Sequence, residues 1–235
     1  MISVDLHVHT CASLDCGTPV RDVADACTQA GIDCVAITDH NEIRGALSLR
    51  DLGRVQVIVG EEIRTTKGEL QGLFLSELVP GGLSPEETID RIKSQGGLVC
   101  MPHPFVRTPY PSWAYLGRRD GSSFIPSPVL TGVNGLLTSD VLSRLDMMET
   151  VNSRTPFKWN WKACRKLAHL CGLPQTAGSD AHTAREVGRA RITMEPFIDA
   201  AGFLHSLRNA SVSGTTSSVF VHYSSTVASH RARHR

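Results

Sequence analysis

Residues 2–10 read Ile2-Ser3-Val4-Asp5-Leu6-His7-Val8-His9-Thr10, an apolar run that leads into two histidines two positions apart. The run predicts a β-strand over Ile2–Leu6. Side chains at positions i and i+2 of an extended chain project to the same side. His7 and His9 can therefore reach one point in space, just beyond the end of this strand.

A second stretch, near the other end of the chain, repeats this spacing. It reads Gly178-Ser179-Asp180-Ala181-His182 and follows another apolar run. By the same geometry, the side chains of Asp180 and His182 converge. Imidazole and carboxylate groups that meet at strand ends are ligands for Zn, Mn or Fe. The two stretches together predict a metal centre and indicate metal-assisted hydrolysis.

Short apolar runs alternate with helical patterns along the chain, which predicts an α/β fold with parallel strands. The predicted helices are Val20–Ala30, Ser84–Gln95, Phe157–Cys171 and Pro196–Leu207. The predicted strands, besides the first, are Cys34–Thr38, Val55–Val59, Leu98–Met101, Met147–Val151, Pro174–Ala177, Ala190–Met194 and Ser218–Tyr223, with a hairpin over Thr65–Leu75.

Residues of metal-ligating type recur where these strands end. They are His7 and His9, Asp39 and His40, Glu61 and Glu62, His103, Glu149 and Asn152, and Asp180 and His182. The C-terminal ends of parallel strands in a closed barrel open on one face, where active sites form. The pattern therefore predicts one shared pocket rather than several scattered sites.

The composition fits one sizeable domain. The chain has 235 residues, of which 41% are hydrophobic, and a formal net charge of +1. This balance gives no reason to expect a membrane-binding or nucleic-acid-binding protein. Residues 1–103 carry 15 acidic and 8 basic side chains, whereas residues 104–235 carry 8 and 16. The division suits a cation-holding half that faces a half able to bind an anionic substrate, or it reflects ordinary variation of surface charge.

Nothing in the sequence indicates export or membrane insertion. Seven cysteines show no paired spacing, which favours reduced thiols in a cytoplasmic protein. The first residues lead directly into a strand rather than into a signal peptide. No apolar stretch is long enough to cross a bilayer. The oligomeric state is left open by the sequence.

Five motifs follow one another along most of the chain. They are Asp5-Leu6-His7-Val8-His9-Thr10, Ile37-Thr38-Asp39-His40-Asn41, Gly60-Glu61-Glu62, Met101-Pro102-His103-Pro104 and Gly178-Ser179-Asp180-Ala181-His182. In this order they resemble the motifs of the PHP family, the polymerase and histidinol phosphatase superfamily of metal-dependent phosphoesterases. The resemblance implies a distorted (β/α)7 TIM-like barrel over residues 1–214, with a trinuclear metal site at the C-terminal ends of the strands. Residues 215–235 are expected to form a C-terminal extension.

The resemblance also implies a ligand set for two to three divalent metal ions, which would be Mn, Fe or Zn. The implied ligands are His7, His9, Glu62 and Asp180 for the first metal, Glu62, His103 and Glu69 for the second, and His40 and His182 for the third, with Asp15 at a further ligand position. Glu69 stands where the family usually has a histidine, and its carboxylate can also ligate a metal. Asp5 and Asp39 are candidates to hold ligating imidazoles in place.

The implied activity is hydrolysis of a phosphate ester of a small molecule, either a phosphomonoester or a nucleotide phosphate. Water activated by the metal ions would attack phosphorus. Asp180 and Glu62 would orient this water molecule. His182 or His40 would protonate the leaving oxygen.

Arginines near the ends of predicted strands are candidates to bind the phosphate group, because a guanidinium group can donate two hydrogen bonds to it. They are Arg107, Arg154 and Arg185, with Arg118 and Arg119 as further candidates. Arg107, Arg118 and Arg119 lie in residues 104–135, a long irregular segment of the kind that is usually functional or disordered. Its aromatic residues are expected to stack on a base or sugar, or to cover the barrel mouth; they are Tyr110, Trp113 and Tyr115.

Three other interpretations stay open. The PHP family also contains nucleases and polymerase-associated proofreading modules, although a short chain that is not basic overall argues against nucleic acid as the partner. The ligand set also resembles that of the amidohydrolases, which cleave C–N or C–O bonds. A non-catalytic metal-binding module would use the same residues.

Overall fold

The computed structural model of the chain describes residues 1–105, 135–155 and 157–217. The strands in these ranges are β1 Ile2–Val8, β2 Cys34–Ile37, β3 Gln56–Thr65, β4 Gly68–Leu73, β5 Leu98–Met101, β6 Met147–Asn152, β7 Gln175–Gly178, β8 Ala190–Met194 and β9 Ser211–Gly214. The helices are α1 Val20–Ala30, α2 Arg44–Leu52, α3 Pro85–Ser94, α4 Ser139–Arg144, α5 Lys158–Leu170 and α6 Ala200–Leu207, with a 3-10 turn over Ala184–Glu186.

The described strands form one sheet in the order β7-β6-β5-β4-β3-β2-β1-β8-β9. Parallel pairs join β1 to β2, β2 to β3, β5 to β6 and β6 to β7. The strand β4 is antiparallel to both β3 and β5, and β8 is antiparallel to β1 and β9. The antiparallel strands interrupt the regular alternation of strand and helix that the predicted (β/α)7 topology would have.

The sheet curls until the chain after β7 lies beside β1. The N–H of His9 donates to the carbonyl of Ala181 at 2.9 Å, and the N–H of Asp180 donates to the carbonyl of His7 at 2.7 Å. The result is a nearly closed, barrel-shaped sheet in a mixed α/β fold, as the prediction of an α/β barrel requires. Because β1 and β7 end side by side, the two stretches that they precede come together.

Alternating side chains of β2 show how the sheet is packed on both faces. Val35 belongs to one buried cluster with Leu49 of α2, whereas Cys34 belongs to a second cluster with Phe203 of α6. This alternation is the expected result of the two-residue period of a strand. A strand buried on both faces forms a rigid support for the loop that follows it.

Some boundaries differ from the sequence-based prediction. The helix α2 is not among the predicted ones, because Ile43 at its start provides no side-chain cap. The helix α6 begins at Ala200 rather than at Pro196. Asp199, directly before Ala200, caps the helix, because its side chain accepts a hydrogen bond from the N–H of Gly202. The predicted strand Ser218–Tyr223 lies outside the described residues.

Two further observations concern the cysteines and the apolar character of the helices. All seven cysteines lie in the described ranges, and none of them forms a disulfide. In the same ranges, no helix combines the length and the apolar character that crossing a membrane requires.

Candidate metal centre

Four of the predicted ligands converge at the ends of β1, β3 and β7. His7 and His9 are buried, with 0% and 1% of their surface exposed. The Nε2 atom of His7 lies 3.2 Å from Glu62 Oε2 and 3.8 Å from Asp180 Oδ1. The Nε2 atom of His9 lies 3.4 Å and 3.5 Å from the same two oxygens. The structure therefore brings together the residues expected to hold the first metal.

Glu62 faces two histidine groups with its two carboxylate oxygens. Its Oε2 atom points towards His7 and His9, whereas its Oε1 atom lies 3.1 Å from Nε2 of His103. A carboxylate whose oxygens face different imidazoles can bridge two cations. This arrangement agrees with the bridging position expected of Glu62.

A further group surrounds Asp15. Its Oδ2 atom lies 3.3 Å from Nε2 of His40 and 3.2 Å from Nε2 of His182. His9 joins this group, and its ring centroid is 4.2 Å from that of His182. Within the described residues, three such groups have donor atoms that all lie within 4.8 Å of one another. The groups are His7, His9 and Asp180; His7, Glu62 and His103; and His9, Asp15, His40 and His182.

Glu69 lies between His40 and Arg64. Its Oε1 atom is 3.8 Å from Nδ1 of His40 and 3.3 Å from Nε of Arg64. It belongs to none of the three groups found among the described residues. The structure places it beside His40 rather than beside His103, the other residue expected at the second metal.

Several buried ring nitrogens of the site histidines lack hydrogen-bond partners, which is the condition expected of nitrogens that bind a cation. Both ring nitrogens of His9 and the Nδ1 atom of His40 are buried without a hydrogen-bond partner among the described residues. Buried imidazole nitrogens in proteins are normally hydrogen-bonded or bound to a metal. Nitrogens without such partners, close to carboxylate oxygens, can hold a divalent metal ion.

The pKa values of these groups show how strongly opposite charges are concentrated here. Burial lowers the pKa of His9, but the carboxylates of Asp180 and Glu62 outweigh this effect and raise it to about 10. Burial likewise lowers the pKa of His103, and Glu62 raises it to about 9. Burial raises the pKa of Asp180, yet the charge of His7 brings it well below its ordinary value. Without a cation the carboxylates hold protons on the histidines, and a bound metal would displace those protons.

Comparison with protein families and known proteins agrees with this geometry. Residues 5–98 match the family model of the PHP domain, and residues 157–212 match the model of the PHP-associated region. An uncharacterized protein of Methanocaldococcus jannaschii is 34% identical over 192 residues, which are 81% of this chain and 70% of that protein. A second uncharacterized protein of this organism is 45% identical over 117 residues, or 44% of this chain and 68% of the relative. The chain belongs to the PHP family.

Solved structures share the fold of this PHP chain. PsfC from Pseudomonas syringae superimposes with a TM-score of 0.60 at 18% identity, covering 99% of this chain and 98% of PsfC. A protein from Bifidobacterium adolescentis assigned as a metal-dependent phosphoesterase gives 0.53 at 14% identity, covering 76% and 87%. The lesion-specific endonuclease Q from Pyrococcus furiosus gives 0.56 at 14% identity, covering 90% of this chain and 57% of the endonuclease.

Glu149 on β6 connects two of the predicted ligands. Its Oε1 atom lies 3.1 Å from Nδ1 of His7, and its Oε2 atom accepts a hydrogen bond from the N–H of His103 at 2.9 Å. Asn152 donates to the same Oε2 atom at 3.0 Å and also contacts Asp180 Oδ2 at 3.3 Å. A carboxylate behind a ligating histidine holds its ring orientation and tautomer. The sequence places Glu149 at a strand end, but the partners of its carboxylate become visible only in the fold.

Asp5 and Asp39 contact the backbone and a hydroxyl group rather than the imidazole rings. Asp39 accepts hydrogen bonds from the N–H and the hydroxyl of Thr10, at 2.6 Å and 2.7 Å. Asp5 accepts from the N–H groups of Ser179 and Gly188, at 2.9 Å and 2.8 Å. Their expected contact with a ligating ring is therefore wrong, because both carboxylates are used to hold the loops that carry the ligands.

Two ligand residues have unusual backbone conformations. The φ angles of His103 and Asp180 are +24° and +54°, and Asn41, next to His40, has +50°. Non-glycine residues rarely adopt positive φ, and such strain concentrates at functional sites. The backbone strain lies where the PHP ligands leave their strands.

The arginines proposed for phosphate binding occupy different environments. Arg154 is buried, with 5% of its side chain exposed, and its Nε atom lies 3.9 Å from Glu186 Oε1. Glu186 in turn accepts from the N–H of His182 at 3.2 Å, which links Arg154 to the site. Arg185 is exposed on the 3-10 turn. The remaining arginines and the aromatic residues expected at the barrel mouth lie outside the described residues; they are Arg107, Arg118, Arg119, Tyr110, Trp113 and Tyr115.

Proposed function

We propose that this PHP-family protein is a metal-dependent phosphoesterase that hydrolyses a phosphate ester of a small molecule. The observation that carries the proposal is His9, whose two buried ring nitrogens have no hydrogen-bond partner among the described residues. His9 also belongs to two of the three groups of potential ligands, so these groups are adjacent. Adjacent cation positions favour a displacement at phosphorus, in which attacking and leaving oxygens both need stabilisation.

The ligands divide into three sets. His7, His9, Glu62 and Asp180 would hold one ion, Glu62 and His103 a second, and Asp15, His40 and His182 a third. Bound Mn, Fe or Zn ions would lower the pKa of a coordinated water molecule and neutralise charge on the phosphoryl oxygens. The side chains of His40, His103 and Asp180 are between 11% and 14% exposed, so a substrate can approach from that side.

The carboxylates and one histidine would handle the proton transfers. Asp180 and Glu62 would accept hydrogen bonds from the attacking water molecule and hold it in line with the leaving oxygen. Burial and the charge of His9 lower the pKa of His182, so this imidazole is protonated less readily than an ordinary histidine. His40 has the more exposed side chain, 12% against 7%. When only the first two ions are bound, His40 or His182 is free of metal and would protonate the leaving oxygen.

Arginine side chains would bind the phosphate oxygens that the metals leave free. Arg154 is the strongest of the proposed residues, because its contact with Glu186 ties it to the loop of His182. Arg107 follows His103 in sequence and Arg185 follows His182, and both would bind further phosphate oxygens. A guanidinium group suits this task since it offers parallel donors to two oxygens.

Loss of ligands from the first group should abolish both metal binding and turnover. In His9→Ala and Asp180→Ala, we expect bound metal measured by elemental analysis to fall by at least one ion per chain. Release of inorganic phosphate from an aryl phosphate should fall at least 100-fold. The matched controls are His205→Ala and Asp51→Ala, at exposed positions on α6 and α2. Unchanged metal content and phosphate release in both ligand variants would contradict the proposal.

A second candidate is a phosphodiesterase that acts on nucleic acid. Endonuclease Q has the same fold, which weakens the expectation that nucleic acid is not a partner, although this chain covers 57% of that enzyme. Binding to a polyanion falls steeply with salt, whereas hydrolysis of a small phosphate ester does not. Cleavage of DNA that disappears between 50 and 200 mM salt, in the absence of activity on small esters, would favour this candidate. An amidohydrolase would instead cleave amides and release no phosphate.

A further inference from the structure

Arg64 lies on the same face of the sheet as the bridging ligand Glu62. The two residues are two positions apart on β3, so their side chains project to one side. In the antiparallel pair of β3 and β4, Glu62 is opposite Gln71 and Arg64 is opposite Glu69. Arg64 and Glu69 therefore form a cross-strand pair one step further along the face that carries Glu62.

A single carboxylate oxygen separates Arg64 from the metal ligands. Glu69 Oε1 lies 3.3 Å from Arg64 Nε and 3.8 Å from His40 Nδ1. The same His40 nitrogen lies 3.4 Å from Glu62 Oε2. The guanidinium group thus lies at the edge of the site, on the side of His40.

The backbone of Arg64 is held while its side chain is open to solvent. The N–H of Arg64 donates to Asn41 Oδ1 at 2.9 Å, and its carbonyl accepts from the N–H of Gly82 at 2.7 Å. The side chain is 55% exposed, against 17% for that of Glu69. The strand therefore presents a cation at a defined position, with donors left over for a ligand.

Carboxylates line the approach to the site on the side of Arg64. The partly exposed carboxylates at this part of the site are Asp15, Glu69 and Asp180, with 14% to 20% of each side chain exposed. An anionic substrate that enters past them is repelled unless a cation lies on its path. Arg64 supplies that charge next to His40.

We propose that Arg64 binds an anionic oxygen of the substrate's phosphate group on the His40 side of the site, and that Glu69 positions Arg64 instead of ligating the second metal. This proposal rests on the proposed phosphoesterase function, because that function identifies the bound anion as phosphate. The Oε1 atom of Glu69 already accepts a hydrogen bond from Nε of Arg64 at 3.3 Å, so this oxygen is engaged by the arginine rather than turned to a metal. This explains why a glutamate stands where the family usually has a ligating histidine.

Binding of inorganic phosphate to the Mn-loaded full-length chain tests the role of Arg64 without requiring turnover. We expect Arg64→Gln to weaken phosphate binding about tenfold by isothermal titration calorimetry, the loss expected for one charge-assisted hydrogen bond at a half-exposed position. Arg64→Lys, which keeps the charge, should recover part of the affinity. Arg50→Gln is the matched control, since Arg50 is an exposed arginine paired with the single carboxylate of Asp51 on α2.

Metal content tests the role of Glu69. Elemental analysis of Glu69→Gln should give the same number of bound ions per chain as the unchanged protein, and a loss of one ion would show that Glu69 is a ligand and overturn the proposal. Equal phosphate affinity in Arg64→Gln and the unchanged protein, or no measurable phosphate binding by either, would overturn it as well. If the protein hydrolyses no phosphate ester but Arg64→Gln still weakens phosphate binding, the phosphoesterase function is wrong and the role of Arg64 is not.

Discussion

At the scale of single residues, the site depends on a close approach of backbone and side chains around His7. A Cβ atom added to Gly178 would lie 2.2 Å from Cβ of His7 and 2.6 Å from Glu149 Oε1. These distances are far below van der Waals contact, so only glycine allows β7 to pass behind the ligating ring. The contact between Glu149 and His7 exists because this position has no side chain.

We predict that Gly178→Ala displaces His7 and Glu149 and so damages metal binding. The free energy of unfolding should fall by about 1–3 kcal/mol, the usual result of overpacking a buried position. Elemental analysis of the purified variant should show fewer bound ions than the unchanged protein. Gly17→Ala is the control, because a Cβ there meets nothing within 4 Å and φ is not positive. A Gly178→Ala protein with full metal content and unchanged stability would show that the loop adjusts freely.

At the scale of helices and strands, a helix could be predicted from sequence where a capping side chain marks its start. The helix α3 begins at Ser84, whose hydroxyl accepts from the N–H of Glu87 while the Glu87 carboxylate accepts from the N–H of Ser84. Such a capping box satisfies two backbone donors at once, which makes it readable in sequence. The N-cap residue of α2, Ile43, offers no capping side chain, although the Glu42 carboxylate accepts a hydrogen bond from the N–H of Arg44. Packing of Ala46 and Leu49 into the core holds the helix in place. Its existence depends on the sheet beneath it.

We predict that Ser84→Ala lowers the free energy of unfolding by about 1 kcal/mol, because the N–H of Glu87 loses its partner at the start of α3. Urea denaturation followed by circular dichroism measures the change. Ser94→Ala, at the exposed end of the same helix, should alter stability by less than about 0.5 kcal/mol. Metal content should stay the same in both variants, since α3 carries none of the proposed ligands.

At the scale of the whole molecule, closure of the barrel brings carboxylates and imidazoles together in its interior, and the charges of these groups depend on whether a metal ion is bound. Glu62, Asp180 and Asp15 come from different parts of the chain and meet the imidazoles of His9 and its neighbours. Burial would favour neutral groups, but the opposite charges outweigh it on both sides. In the metal-free protein, protonated His9 and His103 therefore stabilise the closed barrel.

We predict that the metal-free protein loses stability as pH rises from about 6.5 to about 10. The pKa values of His103 and His9 are raised to about 9 and about 10, so their contribution is complete below the unfolded value and disappears above the folded one. For His103 alone the shift corresponds to about 3 kcal/mol. Thermal unfolding of chelator-treated protein across this range measures the effect.

The metal-loaded protein serves as the control for this pH dependence. A bound cation replaces the protons, so its unfolding temperature should change much less between pH 6.5 and 10. If metal-free and metal-loaded protein lose stability in parallel over this range, the histidines are not the groups responsible.

The local part of this protein could be predicted from its sequence. Strand geometry brings His7 towards His9, because residues two apart on an extended chain share a face. Asp180 also lies near His182, with 3.4 Å between Oδ1 and Nδ1, but its φ of +54° shows that the chain there is not extended. The order of the motifs indicated the family, and the strand ends indicated one shared pocket. These features depend on neighbours in sequence, so no knowledge of distant contacts was needed.

Other features were decided only by the tertiary structure. Closure of the sheet puts β7 beside β1, which is what joins Asp180 to His7. The partners of Glu149 and the pairing of Glu69 with Arg64 depend on strand register and on which strands become neighbours. A sequence states which groups are available, but their distances across the chain follow from how the barrel closes. The pairing of Glu69 with Arg64 could not be predicted from its position for this reason, whereas the approach of His7 to His9 could.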